Sequence, residues 1–194
     1  MRINRPQFYR EFKLKFSIKK LTQEQVDSIE CIFNEIERND IQDIRWVSYM
    51  LATVYHETAA TMLPIEEYGK GKGKLYGRRI KHSGLPYTNV LGIMYGRGYV
   101  MLTWYENYDL MGRLLGIDLL HYPEKASDPK IAAKILVEGM TKGSSSFGDF
   151  TGKCLEQYFN DKIEDPLHAR RIINGMDKTG LIETYYNKFK LCLT

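Results

Sequence analysis

The sequence predicts an α+β fold in which helices predominate. Two observations carry the prediction. Apolar residues recur at helical spacing through most of the chain, and half of the 16 glycines crowd into residues 69–98, where that spacing lapses and turn residues take over. The 194 residues suffice for one domain with a substantial core, divided into two lobes, and 43% hydrophobic with 27% charged residues is ordinary for a globular protein. The expected organisation is a single domain over 1–194, with an N-terminal extension over 1–20 holding a short helix and a turn-rich β lobe over 69–102.

In chain order, a short helix is expected from Pro6 to Leu14, with Phe8, Phe12 and Leu14 facing inward. Thr22 and Gln25 have the spacing of a capping box, and Val26, Ile29, Ile32, Phe33 and Ile36 carry a second helix to Arg38. The third helix runs from Asp43 to Thr58. Its residues Ile44, Val47, Leu51, Val54 and Thr58 share one face, and Trp46, Met50 and Glu57 form a second stripe on the flank, so it is buried on two sides. Residues 69–98 follow, with short strands expected at Lys74–Tyr76 and Tyr99–Leu102. Helices resume at Trp104–Leu115, stopped by Gly116, and after the Asp128-Pro129 pair, which suits an N-cap and first helical residue, stopped by Gly143. Gly143–Gly148 reads as an exposed linker, and short helices fit Gly152–Phe159, Pro166–Ile173 and Lys178–Leu193.

The chemistry centres on Glu57. It falls in the last turn of the third helix, on a partly desolvated flank and near the negative end of the helix dipole, and both effects favour a protonated carboxyl. Pro64 ends any continuation, and Glu66 and Glu67 follow, so a second acid returns across the first a few residues later. Two carboxylates in unlike environments are the equipment of glycoside hydrolysis. The plain alternative is a solvated helix-end glutamate. A zinc-protease H-E-x-x-H motif fails because Ala60 stands where its second histidine is required.

Charge and cysteines narrow the class. The net charge of +4 favours anionic partners without choosing among nucleic acid, membrane and cell wall. The G-K-G-K-G-K-L-Y-G run over 69–77 matches no phosphate-loop pattern and reads as a solvated basic loop, although Lys70, Lys72, Lys74, Arg78, Arg79 and Lys81 could hold an anionic polymer. No helix-turn-helix or stacking platform supports nucleic-acid binding. Cys31, Cys154 and Cys192 are far apart and odd in number, which argues for free thiols and a reducing compartment. The N-terminus lacks an apolar signal core, and no segment approaches ~18 uninterrupted apolar residues, so cytoplasmic synthesis without an export signal is expected.

Four segments, in order, resemble the family 19 glycoside hydrolases, which include chitinases and many bacteriophage endolysins: Y-H-E-T at Tyr55–Thr58, P-I-E-E-Y-G at Pro64–Gly69, Y-G-R-G-Y-V-M-L-T-W-Y-E-N-Y at Tyr95–Tyr108 and A-R-R-I-I-N-G at Ala169–Gly175. F-T-G at Phe150–Gly152 is similar to the phage branch. The resemblance implies a lysozyme-like, two-lobed domain with a substrate cleft and an inverting mechanism without metal or cofactor. It implies Glu57 as general acid and Glu67 or Glu66 as the base that activates water. A count of nine residues from Glu57 favours Glu66; the local P-I-x-E-Y-G pattern favours Glu67, preferred because a local motif survives an insertion in the preceding bend. Thr103 matches a water-positioning hydroxyl, Asn107 and Asn174 match substrate-contacting amides, and Thr151 is a further cleft candidate. Thr103 fits equally as a helix N-cap and Asn174-Gly175 as a C-cap. Gly96 and Gly98 suit close backbone approach, and Arg97 suits a pairing with a carboxylate. Ala59-Ala60 replace two glycines of plant members, and Met101 replaces a glutamine that contacts sugar, so substrate contacts carried over from chitinases do not all transfer. The expected role is a phage or prophage endolysin acting as a monomer on peptidoglycan glycan strands. It would collect in the host bacterial cytoplasm and reach the wall once a holin-like protein opens the membrane. Neither nucleic acid nor membrane insertion is expected. Chitin hydrolysis by the same chemistry, or glycan binding without turnover, are the alternatives.

Overall fold

The computed structural model describes residues 2–142 and 150–194, in which six α-helices accompany one two-stranded antiparallel sheet. Helix α1 (Arg5–Lys15) is capped by Asn4 and helix α2 (Gln23–Arg38) by Thr22, whose hydroxyl and the Gln25 side chain complete the reciprocal capping box. Helix α3 (Ile44–Glu57) starts at Asp43 and buries every residue from Val47 to Val54, as two apolar stripes require. It packs along α6 (Thr179–Leu193) and touches α5 (Pro129–Thr141), while α2 lies on α5 and α1 on α6. Phe8 and Phe12 of α1 enter the core and stack against Phe189 of α6. Leu14, expected to face inward, is 67% exposed: it lies 200° around the helix from Phe12.

The strands are not where the sequence placed them. Strand β1 is Ile65–Glu66 and strand β2 is Arg97–Gly98, in the register Ile65 to Gly98 and Glu66 to Arg97. Lys74–Tyr76 instead leads into a 3-10 helix over Leu75–Arg78, and Tyr99–Leu102 forms the turn after β2, where Leu102 bridges back to Arg97. Two-residue strands are too short to show a period of two. Gly98 has φ +82°, and a Cβ there would lie 2.6 Å from the Ala126 carbonyl oxygen, so β2 can run against the 3-10 helix Pro123–Ser127 only with glycine.

Helix α4 (Tyr105–Leu115) ends at Gly116 in the left-handed region, and Asp128 accepts from the amides of Lys130 and Ile131 to start α5. The short C-terminal helices contract to 3-10 turns at Leu155–Gln157 and His168–Ile172. The linker expected over Gly143–Gly148 lies outside the described residues.

Directly after Glu57 the chain makes a strained exit. Thr58 caps α3, its hydroxyl accepting from the Met62 amide, and Ala59, Ala60 and Met62 have φ of +50°, +66° and +58°. A left-handed non-glycine residue costs about 1–2 kcal/mol, partly offset by the greater entropy that glycine loses on folding. Ala59→Gly and Ala60→Gly should therefore each stabilise the protein, by about 0.5–1 kcal/mol, read as a rise in the urea midpoint at constant slope. Lowered midpoints for both would contradict the strain.

Candidate active site

A cleft of about 550 Å³ opens between the C-terminal end of α3 and the turn-rich lobe. Glu57, Thr103, Asn107, Thr151 and Asn174 all line it. Glu66 and Glu67 are not among its lining residues, but Glu67 hydrogen-bonds to Tyr76, which is.

Glu57 is held by an interaction the sequence did not reveal. The Arg170 guanidinium donates through Nη1 to Glu57 Oε1 at 2.5 Å and through Nε to the Asp177 carbonyl at 3.2 Å. Arg170 is buried, and the Glu57 side chain keeps 14% of its surface exposed. Among the described residues, Glu57 Oε2 makes no hydrogen bond and is the oxygen left for a ligand. The expectation that burial and the helix dipole alone act on Glu57 is thus incomplete.

The adjacent carboxylates separate cleanly. Glu66 Oε1 accepts from the Tyr95 hydroxyl at 2.9 Å and Arg97 Nε at 3.1 Å, and Oε2 lies 3.2 Å from Lys70 Nζ. Arg97 is buried, donates also to the Tyr108 hydroxyl and the Ile93 carbonyl, and lies over the Tyr95 ring. Burial pushes the Glu66 carboxyl up, and the hydrogen bonds from Tyr95, Arg97 and Lys70 outweigh it, leaving it below the ordinary 4.5. Glu67 points the other way. Its Oε1 accepts from the Tyr76 hydroxyl at 2.9 Å and its Oε2 from the Gly96 amide at 3.3 Å, and among the described residues no cation pairs with it. A Cβ on Gly96 would lie 3.4 Å from the Glu67 Cβ and tighter still against Met101, which gives that glycine its role.

The remaining cleft residues divide by what their polar atoms already do. Thr103 does not cap α4: the cap position belongs to Trp104, with φ +71° and ψ 142°, conformations rare outside glycine. Trp104 is fixed by its amide on the Met94 carbonyl, by the His82 ring stacked 3.9 Å away and by the edge of Tyr76. The Thr103 hydroxyl and the Asn107 amide make no hydrogen bond among the described residues and face the cleft. Asn174 accepts from the Gly175 amide on Oδ1, leaving its NH₂ to the cleft. Thr151 is structural as well as lining, since its hydroxyl donates to the carbonyls of Arg171 and Ile172. Its neighbours explain the F-T-G run: a Cβ on Gly139 of α5 would fall 2.0 Å from Phe150 Cζ, and Gly152 has φ +75°. Sequence reasoning missed Arg170, Tyr76, His82 and Trp104. Only Trp104 carried a signal, as a large aromatic beside a candidate threonine.

No family model matches the sequence, and no curated protein does. Solved structures do match over the whole chain. A bacterial family 19 chitinase superposes with a TM-score of 0.63 at 20% identity, covering 100% of this chain and 95% of that one. Chitinase C from Streptomyces griseus HUT6037 gives 0.61 at 19% identity over 98% of this chain and 74% of the other. A mutant of chitinase C gives 0.58 at 20% identity, covering 98% and 90%. The fold is that of the family 19 chitinases. Within this chitinase fold the mostly helical, two-lobed architecture with a small sheet agrees with the fold class the sequence predicts.

The Glu66 ion pairs make a pH prediction. A carboxylate whose folded pKa is lowered stabilises the fold fully above its unfolded pKa, and that contribution is lost as pH falls through the folded value. The melting temperature of Glu66→Gln should therefore lie below wild type near neutrality, and the gap should begin to close only as pH falls past about 4.3, where an unfolded glutamate titrates, and vanish below the lowered folded value. Parallel melting curves across that range would rule out the charge contribution.

Proposed function

We propose that the protein is a phage or prophage endolysin that hydrolyses β-1,4-glycosidic bonds of bacterial peptidoglycan by inversion, with two carboxylates and no cofactor. The observation that carries this reading is the cleft itself, which gathers Glu57, Thr103, Asn107 and Asn174 in a chitinase fold while Glu67 hydrogen-bonds to its Tyr76 wall. Glu57 is the general acid. Because Oε1 already accepts from Arg170, the proton it gives to the leaving glycosidic oxygen sits on Oε2. Glu67 is the base. It takes a proton from a water held with Thr103, and the resulting hydroxide oxygen bonds to C1 on the face opposite the departing sugar, inverting the anomeric centre. Glu66 is occupied by Arg97 and Lys70 and serves the lobe, not the water.

Peptidoglycan is preferred to chitin because Ala59-Ala60 and the F-T-G segment resemble the phage branch and Met101 replaces a sugar-binding glutamine. Chitin remains the second reading, favoured by the chitinase likeness. Among the described residues no helix is long and apolar enough to cross a membrane. The reading also includes a holin-like partner that releases the enzyme from the host cytoplasm to the wall. Mass spectrometry of fragments from purified peptidoglycan and from chitin oligomers separates the two substrates; cleavage of chitin alone would overturn the first.

Glu57→Gln should abolish turnover, since the N–H protons of an amide are too weakly acidic to pass to the leaving oxygen; its carbonyl oxygen still accepts from Arg170, so the fold survives with a lowered melting temperature. Glu67→Gln should lower turnover by at least ~10²-fold and Glu66→Gln by far less. Lytic rates on folded variants decide it, and a dead Glu66→Gln beside an active Glu67→Gln reverses the assignment of the base. Proton NMR of fresh product should show the α anomer first, an initial β anomer being incompatible with inversion.

A further inference from the structure

The turn-rich lobe carries a charge for which the hydrolysis has no use. Residues 64–95 contain Lys70, Lys72, Lys74, Arg78, Arg79 and Lys81 against Glu66 and Glu67, a surplus of four that equals the net charge of the whole chain, +4. The rest of the sequence is balanced. Three of these cations are engaged: Lys70 with Glu66, Arg79 with the Val90 carbonyl and the Tyr87 ring, and Lys81 over the Tyr105 ring. Lys72, Lys74 and Arg78 are exposed and, among the described residues, make no ion pair.

The loop that presents them is closed on itself. Amides of Lys70, Lys72, Lys74 and Gly77 donate in turn to the carbonyls of Glu67, Gly69, Gly71 and Lys74. A Cβ on Gly71, at φ +78°, would lie 2.8 Å from the Gly77 Cα, and one on Gly77 would lie 1.9 Å from the Gly71 oxygen. The alternating glycines therefore close a ring between 71 and 77, which holds Lys72 and Lys74 in place. Tyr76, on the same ring, lines the cleft and hydrogen-bonds to Glu67, with Lys74 and Arg78 two residues to either side. The cations are thus tethered to the cleft wall.

We infer that Lys72, Lys74 and Arg78 form a cationic rim that recognises carboxylates borne by a glycan strand lying in the cleft, and so select peptidoglycan, with its peptide carboxylates, over neutral chitin. The inference rests on the peptidoglycan reading above. Exposed ion pairs are individually weak and screened by salt over roughly 8–10 Å, so three of them acting on one strand amount to about tenfold in affinity at low ionic strength.

The test compares wild type with the Lys72→Gln/Lys74→Gln/Arg78→Gln variant by co-sedimentation on ice, after matched thermal melts. The probes are peptidoglycan sacculi stripped of phosphate polymers with hydrofluoric acid, the same sacculi with carboxyls amidated by carbodiimide, and colloidal chitin. The variant should bind stripped sacculi about tenfold more weakly at low salt and equally on chitin, and the gap should close on amidated sacculi and at about 0.5 M salt, where the screening length falls to a few Å. Equal binding of both proteins to stripped sacculi, or a gap that persists after amidation or in high salt, overturns the rim alone. Wild type that is retained by chitin and not by stripped sacculi overturns the peptidoglycan reading and the rim with it.

Discussion

Among the described residues, two charged side chains are almost completely buried, Arg97 at 5% and Arg170 at 3% exposure, and their neutralisation organises the site. A guanidinium keeps its charge in proteins, so each must find an anion and enough acceptors for its remaining N–H groups. Arg170 takes Glu57 and the Asp177 carbonyl; Arg97 takes Glu66, two carbonyls and the Tyr108 hydroxyl. Two of the three acidic candidates are thereby committed to cations. Glu67 is left with neutral donors, Tyr76 and the Gly96 amide, which is the environment in which a carboxylate can receive a proton without breaking an ion pair.

The backbone around these groups is held in conformations that side chains disfavour. The exit from α3 through Ala59, Ala60 and Met62 and the entry to α4 at Trp104 flank the cleft, and each is tied down by packing or hydrogen bonds that outweigh the local strain. Both bends deliver a side chain to the cleft, Glu57 before one and Thr103 before the other. The first of these turns is made with alanine, not glycine, at both left-handed positions 59 and 60.

How much could be read from the sequence follows from the range of the physics involved. Helices α2 and α5 were legible with their starts because caps are local: Thr22 and Asp128 each satisfy an amide two or three residues ahead. Strands β1 and β2 were not, since their pairing depends on residues about thirty positions apart and each is two residues long. Glu57, Thr103, Asn107, Asn174 and Thr151 were named from motifs and do meet at one cleft. Arg170 was not, because Arg170 and Arg171 are indistinguishable in sequence and only the packing of the Ala169–Ile172 turn buries the first and exposes the second.

The same distinction applies to the two adjacent carboxylates, since a count from Glu57 does not carry what tells them apart. What orients Glu66 and Glu67 is their register against β2, fixed by Glu66 opposite Arg97, by the Glu67 amide on the Gly96 carbonyl at 2.7 Å, and by Gly98 against Ala126. Successive residues of a strand face opposite ways, so a slip of one would exchange the two acids. Arg97 prevents the slip, since it is buried and would lose its anion to the wrong side of the strand. An added residue in the bend between Thr58 and Pro64 would alter the count without altering this register. The orientation of the two carboxylates is therefore set by the partner strand and its arginine, and not by their spacing along the chain from Glu57.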